Sequence, residues 1–520
     1  MAIFDPTSIF RLYASRRVNK LNKLDPVAAQ EKLLLGMVRK CSATKFGRAH
    51  NFSSIKTVRD FQRAVGLRTY EDFWLEFWKD SFPLLEHCSW PGTIPFFALT
   101  SGTTTGTTKY IPFTREMMRA NSRAGLDLLS FHVVSQIDST VCSGKSLMLG
   151  GSSDLNELAP GIHSGDLSGI VTQNMPAWVS PWSLPPRSIG LMKDWEKKIT
   201  LLAEIAVREK ITAISGVPSW LNLFLARLTE LKGVQDTDLG ELLPDLQLLI
   251  HGGVSFMPYR QQYERFLQNS NAEMREVYPA SEGFIAMADG SHHQGLRLCL
   301  DHGLFYEFVP ADDVNQVNAP RHWLQNFETD LNYALVVSSC AGLWSYIIGD
   351  TVRFVNRHPP RLIVTGRLSY SLSVFGEHLI GEELETAVTS AAAEIGCSIN
   401  DYTVGAVVPQ DPLSPGTHIF LVEFSQSIIS DEQQADFVTL LDEQLGLLND
   451  DYQAHRAEGY GLSKPRLTCL KPGAFEAWMK GRGKLGGQHK VPRVVLDPEL
   501  FGSLQKYMQD NNHEALPESS

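Results

Sequence analysis

Residues Thr100 to Lys109 constrain this chain more than any other segment. Every position from Thr100 through Thr108 is Thr, Ser or Gly, and one lysine closes the run. A stretch with nothing apolar to bury has to lie at the surface, joining elements that do the burying. Those elements are legible on either side. Ile94–Leu99 has the apolar, aromatic character of a strand, and Thr114–Val134 has the period of an amphipathic helix. The loop's composition also implies a chemistry. Glycine lets the backbone approach a ligand closely. Successive amides form an anion-binding concavity that Ser and Thr hydroxyls extend. Lys109 adds a point charge on a flexible stem. A triphosphate suits all three. The loop is not a Walker P-loop, because Thr107 and Thr108 separate Gly106 from Lys109, and Tyr110 follows the lysine. The competing reading is a solvated Ser/Thr/Gly turn.

At 520 residues the chain exceeds one ordinary core, so two or more domains are expected. Its 43% hydrophobic and 20% charged residues are those of a globular protein. A net charge of −11 argues against nucleic acid held by phosphate neutralisation, yet leaves room for one local site for a small anion. Seven scattered cysteines without a CxxC pair read as reduced thiols of a cytoplasmic protein. The basic, amphipathic start through Leu24 lacks the apolar core and cleavage site of a signal peptide, and is expected to be a helix of the folded protein. No stretch approaches the ~20 apolar residues that span a bilayer, so no membrane partner is expected. The polar tail Gln509–Ser520 is expected to fray.

Helical periods open the chain at Pro26–Cys41, Thr57–Val65 and Tyr70–Lys79. From Thr93 short apolar runs alternate with helices, the pattern of an α/β fold with mixed sheets flanked by helices. Strands are expected at Ser146–Gly150, Thr212–Ser215, Leu246–His251 and Arg275–Tyr278, and helices at Met192–Arg208, Ser219–Leu231 and Met257–Leu267. A β-rich block follows at Leu304–Val309, Ala334–Ser338, Leu343–Ile348, Thr351–Val355 and Leu362–Thr365. Beyond it come helix Gly381–Ile395, strands Tyr402–Val408 and His418–Phe424, helix Asp431–Leu447, strand Arg466–Leu470 and helix Ala474–Lys480. That last group reads as a smaller α+β unit. The boundary is expected near Phe375, giving domains 1–375 and 376–520 with a hinge about 368–380.

Further constellations follow strand ends. Gly252 and Gly253 close the apolar run Leu248–His251, the kind of edge where ligands sit in open α/β sheets. After the next strand come Tyr278, Ala280, Ser281 and Glu282: an aromatic face suited to a base, a hydroxyl, and an oxygen donor of the type Mg²⁺ prefers. Tyr346–Asp350 ends in an acid able to accept both hydroxyls of a ribose, and Thr365-Gly366-Arg367 follows. The glycine-rich cationic stretch Arg482–Arg493 can present Lys490 to a site. Each has a bland counterpart: a strand-to-helix turn, a Pro-initiated turn at a core tyrosine, a Gly-Asp hairpin, a solvated basic loop. Neither His292-His293 nor the scattered acids have metal-cluster spacing, and no GxSxG elbow supports a serine hydrolase.

Taken in order, these segments resemble the GH3 acyl-acid amido synthetase family, a branch of the adenylate-forming superfamily with acyl-CoA ligases and luciferases, over nearly the whole chain. Thr100–Thr114 is similar to the family's first motif, Tyr278–Glu282 to its second and Tyr346–Asp350 to its third. Gln488-His489-Lys490-Val491-Pro492-Arg493 resembles its C-terminal Gln-x-Lys-x-Pro-Arg. Two positions depart: Ile347 stands where plant members have Arg, and His378 where their hinge has lysine. Both point to a microbial-type member with a different acyl substrate.

The resemblance implies a large N-terminal adenylate-forming domain and a smaller mobile C-terminal one. It implies ATP and Mg²⁺ as cofactors, and a small carboxylic acid and an amine, usually an amino acid's, as substrates. The acid would be activated as acyl-AMP with release of pyrophosphate, then passed to the amine with release of AMP. By the same resemblance Ser101, Gly102, Thr103, Thr104, Thr105 and Lys109 hold the β/γ-phosphates, and Glu282 the metal. Gly252, Gly253 and Tyr278 take the adenine and Asp350 the ribose, while Ala280, Ser281 and Arg367 complete the ATP-binding set. Lys490 takes the α-phosphate, so that Lys490, Lys109 and Glu282 are the catalytic candidates. Residues 121–181 and 215–225 are expected to wall the acyl pocket. The rival readings are an acyl-CoA ligase with a thiol acceptor, and a nucleotide-binding protein that forms no product. The acid, the amine, the general base and the oligomeric state have no signature in the sequence.

Overall fold

The computed structural model describes residues 5–512 except 102–107, 151–154, 176, 191, 193–194, 236, 255, 257–258, 291–293, 369–371, 373, 375–376, 378, 408–415, 427, 450–451, 454–455, 457–461 and 483–490. It divides into two compact units, Met1–Val254 with Gln262–Val364, and Ser255–Gln261 with Thr365–Ser520. The second unit thus begins at Thr365, ahead of the boundary expected near Phe375, and takes in a short upstream segment.

The first unit opens with helices whose starts are set by their caps. Asp25 accepts bonds from Val27 and Ala28 amides and precedes helix Pro26–Cys41, with proline in the first turn. Thr57 with Asp60, and Thr69 with Asp72, form capping boxes that open Val58–Ala64 and Tyr70–Phe73. Together with the short helices Lys45–Ala49 and Trp74–Trp78 they bury Phe46, Phe61, Phe73 and Trp78 in one core with Trp344 and Phe305. Gln30 is buried there without cost, because its amide serves Leu300 O, Leu304 O and the Tyr306 N–H. The basic helix expected at the start is Thr7–Asn22. Arg17 ties it down by bonding Asp127 and Asp301, and His302 also bonds Asp127. Asp127, Asp301 and His302 converge as metal ligands might, but the guanidinium fills that role.

The strands of the first unit are, in chain order, β1 (Phe96–Ser101), β2 (Thr108–Phe113), β3 (Lys145–Met148), β4 (Asn156–Ala159), β5 (Ile162–Gly165), β6 (Ser183–Leu184), β7 (Ile211–Gly216) and β8 (Leu248–Gly252). They continue as β9 (Glu273–Ala280), β10 (Gly283–Met287), β11 (Leu296–Leu298), β12 (Leu304–Pro310), β13 (Asn332–Ser339), β14 (Tyr346–Arg357) and β15 (Pro360–Arg367), the last crossing into the second unit. One sheet has the order β2-β1-β5-β4, and the other β12-β13-β14-β15-β11-β10-β9-β8-β7-β3-β6. In the larger sheet β6, β3, β7, β8 and β9 are parallel neighbours, and the β-rich block extends it with antiparallel strands.

Two expectations need correction. The Thr/Gly loop does not run straight into a helix: β2 comes first, antiparallel to β1 with Thr100 opposite Lys109, and helix Arg115–Ser135 starts after it. The strand was hidden because Thr114, which caps that helix through the Met117 N–H, sits directly behind Pro112-Phe113. Second, Leu343–Ile348 and Thr351–Val355 are not separate strands. Tyr346–Arg357 is continuous, with a bulge: Ile347 pairs with Val336 and Thr351 with Ala334, so three residues face Leu335. Gly349, at φ +94°, supplies the conformation this needs. The Gly-Asp signal marks a bulge, not a turn.

The second unit carries β16 (Ile399–Val407), β17 (Thr417–Phe424), β18 (Arg466–Leu470) and β19 (Val494–Val495) in the order β18-β17-β16-β19. Helices Gly381–Glu394 and Asp431–Leu448 bury Leu384, Val388, Phe437 and Leu441 in one core with Tyr402 and Phe420. The tail expected to fray from Gln509 is helical to Asn512, as the end of Pro498–Asn512, which buries Phe501, Leu504 and Met508.

Candidate active site

The parallel strands of the larger sheet end together. Registers place Gly216 beside His251, and Gly252 beside Val277, so the carboxyl edge runs from β3 through Gly216 and Gly252 to Tyr278. A Cβ on Gly252 would stand 2.2 Å from the Val277 carbonyl oxygen, so only glycine fits this edge. Gly253 follows at φ +84° and turns the chain away.

Next to these glycines, Tyr278 Oη donates to Asp350 Oδ2 at 2.6 Å. Both residues are buried. Seventy-two residues separate them, so the sheet, not local spacing, brings the two motifs together. The β14 bulge is what sets Asp350 apart from its strand neighbours. Ala280 pairs with Gly283, which makes Ser281 and Glu282 a two-residue hairpin turn between β9 and β10, and Glu282 is 7% exposed.

Lys109 lies on β2, at the far side of the Thr/Gly loop. Its ammonium stands 5.6 Å from the centre of the Tyr70 ring and 4.0 Å from Glu71 Oε1, contacts that orient it without neutralising it at close range. Ser101 ends β1. Gly102, Thr103, Thr104, Thr105, His378 and Lys490 lie outside the described residues. Arg367 ends β15 in the second unit.

Two charged groups at this edge went unnoticed in the sequence. Lys198, on helix Trp195–Ala206, is 2% exposed and donates to Gly150 O and Gly190 O, each at 3.1 Å. Burial draws its ammonium down to about 8, with Asp166 opposing. Asp166 follows β5, and burial pushes its carboxyl up to about 6, against the pull of Lys198. The available signal was periodicity: Lys198 shares a helical face with Leu202 and interrupts an otherwise apolar stripe.

In the second unit Arg493 is enclosed by acids. Its Nε lies 3.2 Å from Glu385 Oε2, its Nη1 bonds Asp401, and it donates to Tyr402 O at 3.1 Å. The guanidinium stacks 4.6 Å over the Tyr402 ring, whose hydroxyl donates to Glu385 at 3.1 Å.

Family models for the GH3 family's N-terminal, central and C-terminal domains match residues 17–164, 297–367 and 382–499. The chain belongs to the GH3 family. Similar proteins include the indole-3-acetic acid-amido synthetase GH3.8 of Oryza sativa subsp. indica, 26% identical over 229 residues, 41% of this chain and 37% of that protein. The probable indole-3-acetic acid-amido synthetase GH3.12 of Oryza sativa subsp. japonica is 25% identical over 333 residues, 57% and 51% of the two chains. This GH3 chain spans about a third to a half of the length of the curated relatives it matches. Among solved structures, the GH3.15 acyl acid amido synthetase superposes with a TM-score of 0.78 at 17% identity, covering 98% of this chain and 96% of that one. A 2-hydroxyisobutyryl-CoA ligase in the postadenylation state gives 0.60 at 13% identity, covering 94% of each. The fold is therefore that of GH3 and other adenylate-forming enzymes, a large N-terminal and a smaller C-terminal domain. Among the described residues no helix is long and apolar enough to cross a membrane.

Proposed function

We propose that this GH3 chain is an ATP-dependent acyl-acid amido synthetase. The carrying observation is the buried Tyr278–Asp350 bond beside Gly252 and Gly253, which joins two motifs distant in sequence at one sheet edge. A carboxylate is a poor electrophile, and an amine added to it merely makes a salt. Activation by ATP removes that obstacle: the acid attacks the α-phosphorus, giving acyl-AMP and pyrophosphate. An amine, taken to be an amino acid's, then attacks the acyl carbon and AMP departs. The relatives named for indole-3-acetic acid support an acid-plus-amine reading, while Ile347 in place of arginine favours a different acid here.

In this reading residues 101–105 and Lys109 hold the β/γ-phosphates. Lys109 is suited to the task because Glu71, the acid beside it among the described residues, stands at 4.0 Å. Asp350, oriented by Tyr278, accepts the ribose hydroxyls, and the flat floor at Gly252–Gly253 takes the adenine, with Ala280, Ser281 and Arg367 nearby in the scheme. Glu282 fits Mg²⁺ as a buried hard-oxygen donor on a tight turn. When bound, the ion would neutralise charge on the phosphates. Lys490 on the second unit meets the α-phosphate, where charge grows in the transition state and a fixed cation stabilises it more than the ground state. A hinge at 368–380 then exchanges this arrangement for one that admits the amine.

The test is acid-dependent ATP–pyrophosphate exchange across a panel of carboxylic acids without amine, then product analysis with amino acids or CoA. Exchange followed by amide formation is expected. Exchange with thioester as the product would move the chain to the CoA ligases, and ATP binding without exchange would remove the enzymatic reading.

A further inference from the structure

The proposed reaction needs a base that relieves the incoming amine of a proton, and among the described residues Asp166 is a carboxylate in the right neighbourhood without a role in holding ATP. β5 runs parallel to β1 with Gly165 opposite Ala98, so Asp166, the next residue, lies alongside the stretch of β1 that leads into the Thr/Gly loop. Neighbouring strands stand about 4.8 Å apart. Asp166 is therefore close to the base of the segment assigned to the triphosphate.

The other sheet reaches the same place. The Leu149 N–H bonds Ser215 O, and Gly216 packs so close to Leu149 that a Cβ would stand 3.0 Å from its Cβ. Gly150 is tighter still: a Cβ there would come within 2.7 Å of the Cβ of Ser168, two residues after Asp166. Lys198 fastens this junction through its bonds to Gly150 O and Gly190 O. One strand, β7, lies between Gly150 at the end of β3 and the Gly252–Gly253 floor at the end of β8, two strand spacings or about 10 Å, the offset an acyl group would have from the adenine. Although Asp166 precedes helix Leu167–Gln173, its side chain makes no capping bond. A carboxylate that is mostly buried, beside a buried lysine and not used for capping, has the marks of a group kept for chemistry.

We propose that Asp166 is the general base of the amide-forming half-reaction, with Lys198 holding the turn that positions it. This inference rests on the synthetase reading above. The ammonium passes a proton to the Asp166 carboxylate as it reaches the acyl-AMP, which frees the nitrogen lone pair. As the nitrogen attacks the acyl carbon, the C–N bond forms and the nitrogen sheds its remaining excess proton to water. The acyl C–O bond to AMP breaks, its electron pair leaves with the phosphate, and Asp166 returns the proton to solvent. A carboxyl poised at about 6 is ionised at neutral pH and still basic enough to accept that proton.

The experiment compares wild type and Asp166→Asn in three assays: acid-dependent ATP–pyrophosphate exchange, conjugation of the preferred amino acid, and hydroxamate formation with hydroxylamine, a strong nucleophile already neutral at pH 7. The expected result is exchange and hydroxamate formation within about twofold of wild type, with amino-acid conjugation lower by about 100-fold, the scale of general base catalysis. Equal losses with both acceptors, a matching loss of exchange, or unchanged conjugation would each overturn the assignment. A wild type without exchange would instead remove the synthetase reading itself.

Discussion

The two units differ in how they hold the polar groups nearest the proposed chemistry. In the first, the groups assigned to the nucleotide are placed by backbone shape and neighbouring side chains: a bulge and Tyr278 for Asp350, a distant acid and a ring for Lys109. In the second, a closed cluster of Arg493, Glu385, Asp401 and Tyr402 sits three residues beyond Lys490 in the chain. Val404 N–H bonds Arg493 O and Thr403 bonds Pro492 O, so the cluster also stitches this stretch to β16. A unit proposed to contribute one lysine needs that lysine's tether fixed to its own core. A unit that builds a pocket needs donors and acceptors left available to the ligand.

The comparison breaks most visibly at Arg493. Arg493→Met would leave Glu385 buried and Asp401 half-buried without their cation, a loss of about 3–5 kcal/mol for the second unit. Urea unfolding followed by hydrogen exchange should show helices Gly381–Glu394 and Asp431–Leu448 opening early while the first unit keeps its transition. Equal destabilisation of both units would contradict the cluster's assignment to one of them. Next in size, Lys490→Ala should lower pyrophosphate exchange by about 10²-fold, or ~2.7 kcal/mol of transition-state stabilisation, with unfolding unchanged. An exchange rate equal to wild type would remove Lys490 from adenylation.

The same contrast explains what could be read in advance. Motifs of the first unit were legible because a glycine required by the backbone, at a strand end as Gly252 or in a bulge as Gly349, is a local requirement written in one residue. Helices were legible by period, and Thr57-x-x-Asp60 by its capping box. Strand β2 was not, since its Thr-Lys-Tyr-Ile-Pro-Phe is short and runs into a helix cap. Nor were β4 and β5, four residues each and with little apolar alternation. The partnership of Tyr278 with Asp350, and that of Asp166 with Lys198, depend on which strands become neighbours, and no window of sequence contains both members. Arg493 was read as part of a solvated basic loop or a motif. Its burial follows from acids more than ninety positions upstream.

Within the first unit, Tyr278→Phe sharpens the contrast. It removes one hydrogen bond to a carboxylate, about 1.5–3 kcal/mol, while keeping the ring and its packing. If Asp350 is held for the ribose, the KM for ATP should rise about tenfold with the unfolding midpoint shifted only modestly. A large loss of stability at unchanged KM would make the bond structural.

The smallest expected effect is a differential one with pH. In the first unit, burial pushes the Asp127, Glu273 and Asp301 carboxyls up, but bonds from His302 and Arg17, from His132 and Arg275, and from Arg17 outweigh it, leaving all three below the ordinary carboxylate range. In the second, burial prevails at Glu385 and Glu423, and both lie above it. Asp166 in the first and Asp442 in the second run against their units. A carboxyl lowered on folding contributes stability above its unfolded value of about 4 that disappears as pH falls through its folded value. A raised one contributes stability below the unfolded value that is lost as pH rises through the folded one. Acidification from pH 7 to about 3 should therefore weaken the first unit while relieving the second. Hydrogen exchange corrected for intrinsic rates should show Thr7–Asn22 and Arg115–Ser135 losing protection before Gly381–Glu394. The opposite order would mean that the Arg493 cluster is stabilised by its charges in spite of their burial, and that the two units differ in geometry but not in electrostatic design.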